Sequence, residues 1–129
     1  MGLLRALTIN RAFTEADADD PRLRGRSYSV PFAEVWAVAL DIAQKTPGWT
    51  VLTSDPRAGE IVAEATSRLW RSTDDVWIRI SLDDEGQTCV EMASASRKGH
   101  GDLGTNARRI ARFLRTLDAR LFGSKRANR

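Results

Sequence analysis

Residues 75–94 read DVWIRISLDDEGQTCVEMAS, and this stretch decides the fold. Apolar side chains alternate with polar or charged ones in VWIRISL (76–82), and Val90 and Met92 alternate with Cys89 and Glu91 in the second run. Period-two alternation is typical of an antiparallel sheet that is covered on one face. The connector DDEGQ is short and polar, so the two runs are predicted to pair as a hairpin.

Three further runs extend this sheet toward the N-terminus. EIVAEATSRLW (60–70) also alternates, and the polar connector RSTDD follows it. WTVLTS (49–54) is the preceding strand, and the turn DPRAG (55–59) has proline and glycine in turn-forming positions. SYSV (27–30) is short enough for a first strand. We therefore predict a mainly antiparallel sheet of about four or five strands.

Two stretches have the periodicity of an amphipathic helix. In residues 31–45 the apolar stripe consists of Phe32, Val35, Trp36, Ala39, Ile42 and Ala43. In the C-terminal part it consists of Leu103, Ala107, Ile110, Leu114, Leu117 and Leu121. The predicted helices are Pro31–Lys45 and Leu103–Leu121, with Asp102 as the structural N-cap of the second. A start at Thr105 would instead place Arg108 and Arg109 in the first turn, against the helix dipole.

The order β-α-β-β-β-β-α predicts an α+β fold: a two-layer, helix-grip-like sandwich with both helices on one face of the sheet. The predicted core contains Phe32, Val35, Trp36, Ile78, Ile80, Val90, Ile110, Leu114 and Leu117. We assign residues 27–122 to this single domain, residues 1–26 to a peripheral N-terminal arm and residues 123–129 to a basic flexible tail.

Composition limits the class of protein. The chain has 129 residues, 42% of them hydrophobic and 29% charged, which suits one globular domain. No apolar run is long enough to span a bilayer and no signal-peptide pattern is present, so a cytoplasmic location is predicted. One cysteine, Cys89, allows no internal disulfide, and with one histidine a zinc site would lack most of its usual ligands. We expect no cofactor.

Basic residues are concentrated near the C-terminus. Ten of the 20 Lys and Arg residues lie from Arg97 onward, with only Asp102 and Asp118 as acids. This part therefore carries a net charge of +8, and the remainder carries −5. Such asymmetry is found in polyanion-binding faces and also in solvated helices with basic tails.

The segment ASRKGHGDLGTNARRIARFL (95–114) has the strongest functional signal. Its glycines would let a ligand approach the backbone, and a helix start offers free N–H groups to an anion. The predicted ligand-binding residues are Arg97, Lys98, His100, Asn106 and Arg109. The competing structural interpretation assigns the glycines to turn geometry, Asp102 to capping and the arginines to solvent.

Two other functions stay open for this segment. His100 and Asp102 would serve an enzyme as an acid–base pair, although no Ser or Cys nucleophile is marked beside them. One side of the last helix carries Arg108, Arg112 and Arg115. These residues form a basic face suited to polyanion or membrane-surface attachment. Specific recognition of nucleic acid is not expected, because no recognition motif accompanies these residues.

The block SRLWRSTDDVWIRI (67–80) brings a second group of charges together. Arg68, Arg71 and Arg79 lie near Asp74 and Asp75 across the predicted hairpin, where cross-strand ion pairs would account for them without a ligand. Asp74 and Asp75 point to opposite faces of an extended strand, so they do not form a catalytic dyad. A cluster of Arg and Asp with Asn106 would be a polar feature that needs an explanation.

Two blocks of the sequence together resemble the domain of unknown function 1499 family of bacteria and plastid-bearing organisms. They are AEATSRLWRSTDDVWIRI (63–80) and SASRKGHGDLGTNARRI (94–110). The similarity covers about Ser27 to Leu121. This chain has no Cys-containing segment near its start, and it has His100 and Gly101 before Asp102 where the family usually has a small polar residue. The resemblance implies a shared fold and no established activity.

The predicted function is therefore a non-catalytic binding or accessory domain. Its partner is either another protein or a small anionic ligand that binds near the Gly99–Asn106 turn. The basis is a glycine-rich helix start with basic surroundings, in a sequence without a marked nucleophile, metal-ligand set or cofactor motif.

Overall fold

The computed structural model describes residues 11–15, 23–67, 72–97 and 103–127. The strands are β1 (Arg11–Phe13), β2 (Arg26–Tyr28), β3 (Trp49–Asp55), β4 (Glu60–Ser67), β5 (Ser72–Leu82) and β6 (Thr88–Ser96). The helices are α1 (Phe32–Lys45) and α2 (Leu103–Ala127). Among these residues no helix is both long and apolar enough to cross a membrane.

The strands form one open, antiparallel sheet in the order β1-β6-β5-β4-β3. β5 and β6 pair from Asp74 to Leu82, as the alternation in residues 75–94 predicts. Beyond β6, two short strands share its other edge: β2 pairs with its start and β1 with its end. β3 forms the opposite edge of the sheet and has a bulge between Val51 and Thr53.

The α+β fold class is confirmed, and the strand number needs a correction. The described part of the sheet has six strands rather than four or five. The additional strand is β1, which lies within the predicted N-terminal arm and contributes Ala12 to the core. Three residues are too few to show an alternating pattern, and β1 exists because the free edge of β6 supplies backbone partners.

Both helices pack on one face of the sheet, here called the inner face. Residues that are paired across antiparallel strands point to the same side, so Ile61, Ile78 and Met92 form one inner row. All three are buried in a single core cluster with residues of α1 and α2. The opposite side, here called the outer face, has the row Val62, Trp77 and Ala93.

Most of the predicted core residues are fully buried: Val35, Ile78, Ile80, Val90, Ile110, Leu114 and Leu117. Phe32 and Trp36 are instead only half-buried, and their rings stack against each other at the edge of the core. They belong to the first two turns of α1, in which Val35 is the fully buried residue.

The helix limits agree with the sequence pattern at three of four ends, within one residue. α1 begins at Phe32, and α2 begins at Leu103, so a start at Thr105 is wrong. Asp102 lies outside the described residues, and its capping role stays a prediction. α2 continues to Ala127, beyond the predicted Leu121, and therefore includes residues 123–127 of the predicted tail.

The Asp118 carboxylate connects α2 to β2. The Tyr28 hydroxyl donates to Asp118 Oδ1 at 2.6 Å, and Arg26 Nε donates to Asp118 Oδ2 at 3.0 Å. Burial raises the pKa of Tyr28 far above its usual range, and the Asp118 carboxylate adds to this effect. The phenol of the folded protein therefore stays protonated at a pH at which an exposed tyrosine has already ionised.

This contact predicts a shifted alkaline titration. Because the folded-state pKa of Tyr28 is raised, its stabilising contribution is complete below the unfolded pKa of about 10 and is lost as pH rises through the folded pKa. Tyr28 is the single tyrosine, so tyrosinate absorbance reports it alone. We expect tyrosinate to form at about pH 10 in urea-unfolded protein and at clearly higher pH in folded protein. Equal midpoints would contradict the buried contact.

Candidate functional site

A buried polar network lies between the inner face of the sheet and α2. Arg109 Nη1 donates to Asp74 Oδ2 at 2.8 Å, to Ser94 Oγ at 3.0 Å and to Asn106 Oδ1 at 2.9 Å. Ser94 Oγ donates to Asn106 Oδ1 at 2.7 Å, and Asn106 Nδ2 donates to Ser96 Oγ at 3.2 Å. We call these five residues the Arg109 network.

Local structure explains why these polar groups meet. Asp74 and Ser94 continue the inner rows of β5 and β6, each two residues from the next inner-facing side chain. Asn106 and Arg109 are three residues apart in the first turns of α2 and face the same strands. Asp74 neutralises Arg109 in a largely dry environment, since the two side chains are only 7% and 15% exposed.

The hydrogen bonds of the Arg109 network are suited to holding α2 against the sheet rather than to carrying out a reaction. The Ser94 hydroxyl gives its proton to an amide oxygen and accepts from a guanidinium, so no base among the described residues is placed to activate it. The Asp74 carboxylate accepts a charge-assisted hydrogen bond from Arg109, which fixes the guanidinium beside the sheet. A buried hydrogen-bond network of this kind rigidifies the contact between α2 and the sheet.

Next to this network, a cleft of about 500 Å³ lies between α1, the edge of the sheet and α2. Its charged lining consists of Arg108, Arg109 and Arg112, and no described acidic side chain lines it. Arg108 and Arg112 are exposed, whereas Arg109 belongs to the network. The cleft is therefore electropositive, with a volume in the range of small-molecule sites.

The other walls of the cleft are apolar or carry hydroxyl groups. Trp49 at the start of β3 stacks on Phe113 of α2, with ring centroids 5.7 Å apart and planes inclined by 2°. Ile42, Pro47 and Ala65 add apolar surface. The hydroxyl-bearing residues of the lining are Thr46, Thr66, Thr105 and Thr116.

Comparison with known families decides which one this chain represents. The family model described as protein of unknown function (DUF1499) matches residues 6–117. The chain belongs to the DUF1499 family. The matched range confirms the resemblance carried by the blocks at residues 63–80 and 94–110, and it starts inside the predicted N-terminal arm. No curated protein matches this DUF1499 chain.

In this DUF1499 domain Arg97 lies apart from the Arg109 network. Its guanidinium donates to Asp75 Oδ1 at 2.8 Å and contacts Glu64 Oε2 at 3.1 Å, and both acids point to the outer face. The hydrogen bond to Asp75 is the main reason that the pKa of Arg97 lies above its usual value. Asp74 and Asp75 thus point to opposite faces, as the strand pattern predicts.

The predicted ligand-binding residues are therefore separated. Asn106 and Arg109 lie together on the inner face, with Arg109 reaching the cleft, whereas Arg97 lies on the outer face. Lys98 and His100 lie outside the described residues. Of the predicted basic face, Arg108 and Arg112 line the cleft, and exposed Arg115 of α2 does not.

Sequence reasoning singled out Asp74 only as a member of a charge cluster, and it did not identify Ser94, Ser96 or the aromatic wall of the cleft. The signal for Asp74 and Ser94 was available, because the period-two pattern places both on the buried face with Val76 and Met92. A polar residue at a buried position of a strand requires a partner. Trp49 and Phe113 gave no such signal, since their stacking joins residues far apart in the chain.

Proposed function

We propose that this DUF1499 domain is a non-catalytic binding module that holds a small anionic ligand in the cleft between α1, the sheet edge and α2. The observation that supports this proposal is the lining of the cleft, which contains three arginines and no described acidic residue. Thr105 also lines it, so the proposed site includes a residue of the Gly99–Asn106 segment indicated by the sequence.

The charge distribution supports an anion over a neutral ligand. A concave site with one sign of charge focuses the electrostatic field and attracts ligands of opposite charge. Arg112 contacts no described side chain by hydrogen bond or ion pair, and it is therefore available to a ligand. Guanidinium groups bind carboxylates and phosphates with directional, charge-assisted hydrogen bonds.

The hydrogen bonds of the Arg109 network support a binding role over a catalytic one. Ser94, the buried hydroxyl nearest to the cleft arginines, gives its proton to Asn106 rather than to a base. Enzymatic use of His100 and Asp102 stays a separate hypothesis about residues outside the described part of the chain. It predicts turnover that is lost in His100→Ala, whereas the binding proposal predicts ligand binding without turnover.

A thermal-shift experiment tests the proposal. Inorganic phosphate, pyrophosphate, acetate and 2-naphthoate are each added to the wild-type chain, to the Arg108→Ala/Arg112→Ala double variant and to Arg115→Ala. We expect at least one anion to raise the melting temperature of the wild type and of Arg115→Ala, because a ligand that binds only the folded state stabilises it. The same anion should give no shift in the double variant.

Two outcomes would contradict the proposal. One is no shift with any of the four anions, and the other is a shift of equal size in the double variant. Heparin retention separates the surface-attachment alternative, since a basic face would lose retention in Arg115→Ala as strongly as in Arg112→Ala. A defined cleft predicts that Arg115 has no role in small-anion binding.

The cytoplasmic location indicated by the sequence is part of this proposal. Its support is the absence of a disulfide-forming pair of cysteines in the sequence, with Cys89 as the single cysteine. Fractionation of the source cells with an antibody to the full chain tests it, and recovery in a membrane or secreted fraction would contradict it.

A further inference from the structure

The three arginines of the cleft differ in how far their guanidinium groups are already engaged in contacts within the protein. Arg109 is neutralised by Asp74 at 2.8 Å, and Arg108 is engaged with Thr105, to whose hydroxyl it donates at 3.3 Å. Arg112 has no hydrogen-bond or ion-pair partner among the residues that the structure describes. Arg112 is therefore the guanidinium with the most hydrogen-bond donors left for a ligand, and a single carboxylate is enough to pair with it.

The rest of the cleft favours an apolar, flat ligand body. Trp49 is half-buried, so one part of its surface is covered by Phe113 and another part remains exposed on the cleft wall. Phe113 is only 3% exposed, so the flat aromatic surface that the cleft offers is mainly that of the Trp49 indole. Inorganic anions would leave this aromatic surface in contact with water, whereas an aromatic ligand would cover it by offset stacking.

We infer that the ligand of this cleft is an aromatic monoanion, which is a flat ring system carrying one carboxylate or an equally charged group. The inference rests on the proposed function and deepens it. Arg112 holds the charged group, and the exposed part of the Trp49 indole, backed by Phe113, holds the ring system. Thr66, an exposed residue of the lining, adds a hydroxyl beside Ala65.

Isothermal titration calorimetry of the full chain tests this inference. The probes are 2-naphthoate, its neutral counterpart 2-naphthalenemethanol, acetate and inorganic phosphate. We expect 2-naphthoate to bind at least about tenfold more tightly than each of the other three, because it alone combines the charge with the ring system. Arg112→Ala should weaken 2-naphthoate binding about tenfold, and the matched control Arg115→Ala should leave it unchanged.

A second variant separates the ring contact from the charge contact. Trp49→Leu should weaken 2-naphthoate while leaving acetate and phosphate unchanged, because it removes the flat wall and keeps Arg112. Circular dichroism of each variant confirms that it is folded before titration. If Trp49→Leu does not fold, the comparison of 2-naphthoate with acetate in the wild type still tests the ring contact.

The outcomes separate this inference from the proposed function. Arg112-dependent binding in which phosphate or acetate equals 2-naphthoate would overturn the aromatic monoanion and leave the anion site intact. Equal binding of 2-naphthalenemethanol and 2-naphthoate would overturn the charge requirement. If none of the three anions binds in an Arg112-dependent manner, both the inference and the proposed function are wrong.

Discussion

Replacing Asp74 by Ala is expected to lower the free energy of unfolding by about 3 kcal/mol, because it leaves a largely buried arginine without its counterion. Asp74 accepts from Arg109, whose side chain is only 15% exposed, and the same guanidinium orients Ser94 and Asn106. Removing one partner of a buried pair is far more destabilising than the net value of the pair itself. Urea unfolding followed by circular dichroism measures the effect.

The neighbouring acid provides a matched control. Asp75 also forms an ion pair with an arginine, at the same N–O distance of 2.8 Å, but its side chain is 50% exposed and Arg97 is 46% exposed. Exposed pairs contribute little, so Asp75→Ala should cost about 0.5 kcal/mol. Equal losses for the two variants would contradict a buried, stabilising Arg109 network.

A double variant distinguishes the cost of an unpaired charge from the cost of lost hydrogen bonds. Replacing Asp74 by Leu and Arg109 by Met removes both charges and keeps apolar volume, so it should be more stable than Asp74→Ala alone. A double variant less stable than Asp74→Ala would show that hydrogen bonds to Ser94 and Asn106, rather than an unpaired charge, dominate the energy of the network.

Gly59→Ala is expected to have an effect of similar size, about 3 kcal/mol, or to prevent folding altogether. Gly59 ends the turn between β3 and β4 with φ of +72°, and an added Cβ would overlap the backbone oxygen of Ile80. The Gly59 carbonyl also accepts from the Ile80 amide at 2.7 Å. The backbone of β5 would therefore have to move away from β4.

Gly86→Ala separates the steric effect of an added Cβ from the strain of a positive φ angle. Gly86 has φ of +80°, yet nothing lies within 4 Å of an added Cβ. Its replacement should cost only the strain of a left-handed residue, about 1 kcal/mol. Thermal melts of the two variants provide the comparison, and similar losses would show that backbone conformation alone accounts for Gly59.

Periodicity was sufficient to predict the long elements of this fold. The alternation in residues 76–82 and 88–92 specifies which side chains enter the core, and the stripe from Leu103 to Leu121 specifies the buried side of α2. β1 could not be found in this way. Its three residues are a strand only because β6 offers an unpaired edge, which is a property of the tertiary structure.

The candidate site was partly predictable for the same reason. The sequence indicated Asn106, Arg109, Arg108 and Arg112, because the start of α2 concentrates these polar and basic residues within seven positions. It also grouped Arg97 with them, since proximity along the chain does not reveal on which face of the sheet a side chain lies. Trp49 enters the cleft from the start of β3, which only the fold brings next to α2.

The most direct test of an anion-binding cleft is a nuclear magnetic resonance titration of the ¹⁵N-labelled chain with 2-naphthoate. The account predicts chemical-shift changes at the Trp49 indole N–H, the Arg112 Nε–H and the backbone amides of residues 105–116 that line the cleft. The Trp77 indole on the outer face and the Arg115 Nε–H should remain unchanged. Changes centred on Trp77 and Arg97, or no saturable change at all, would contradict the account.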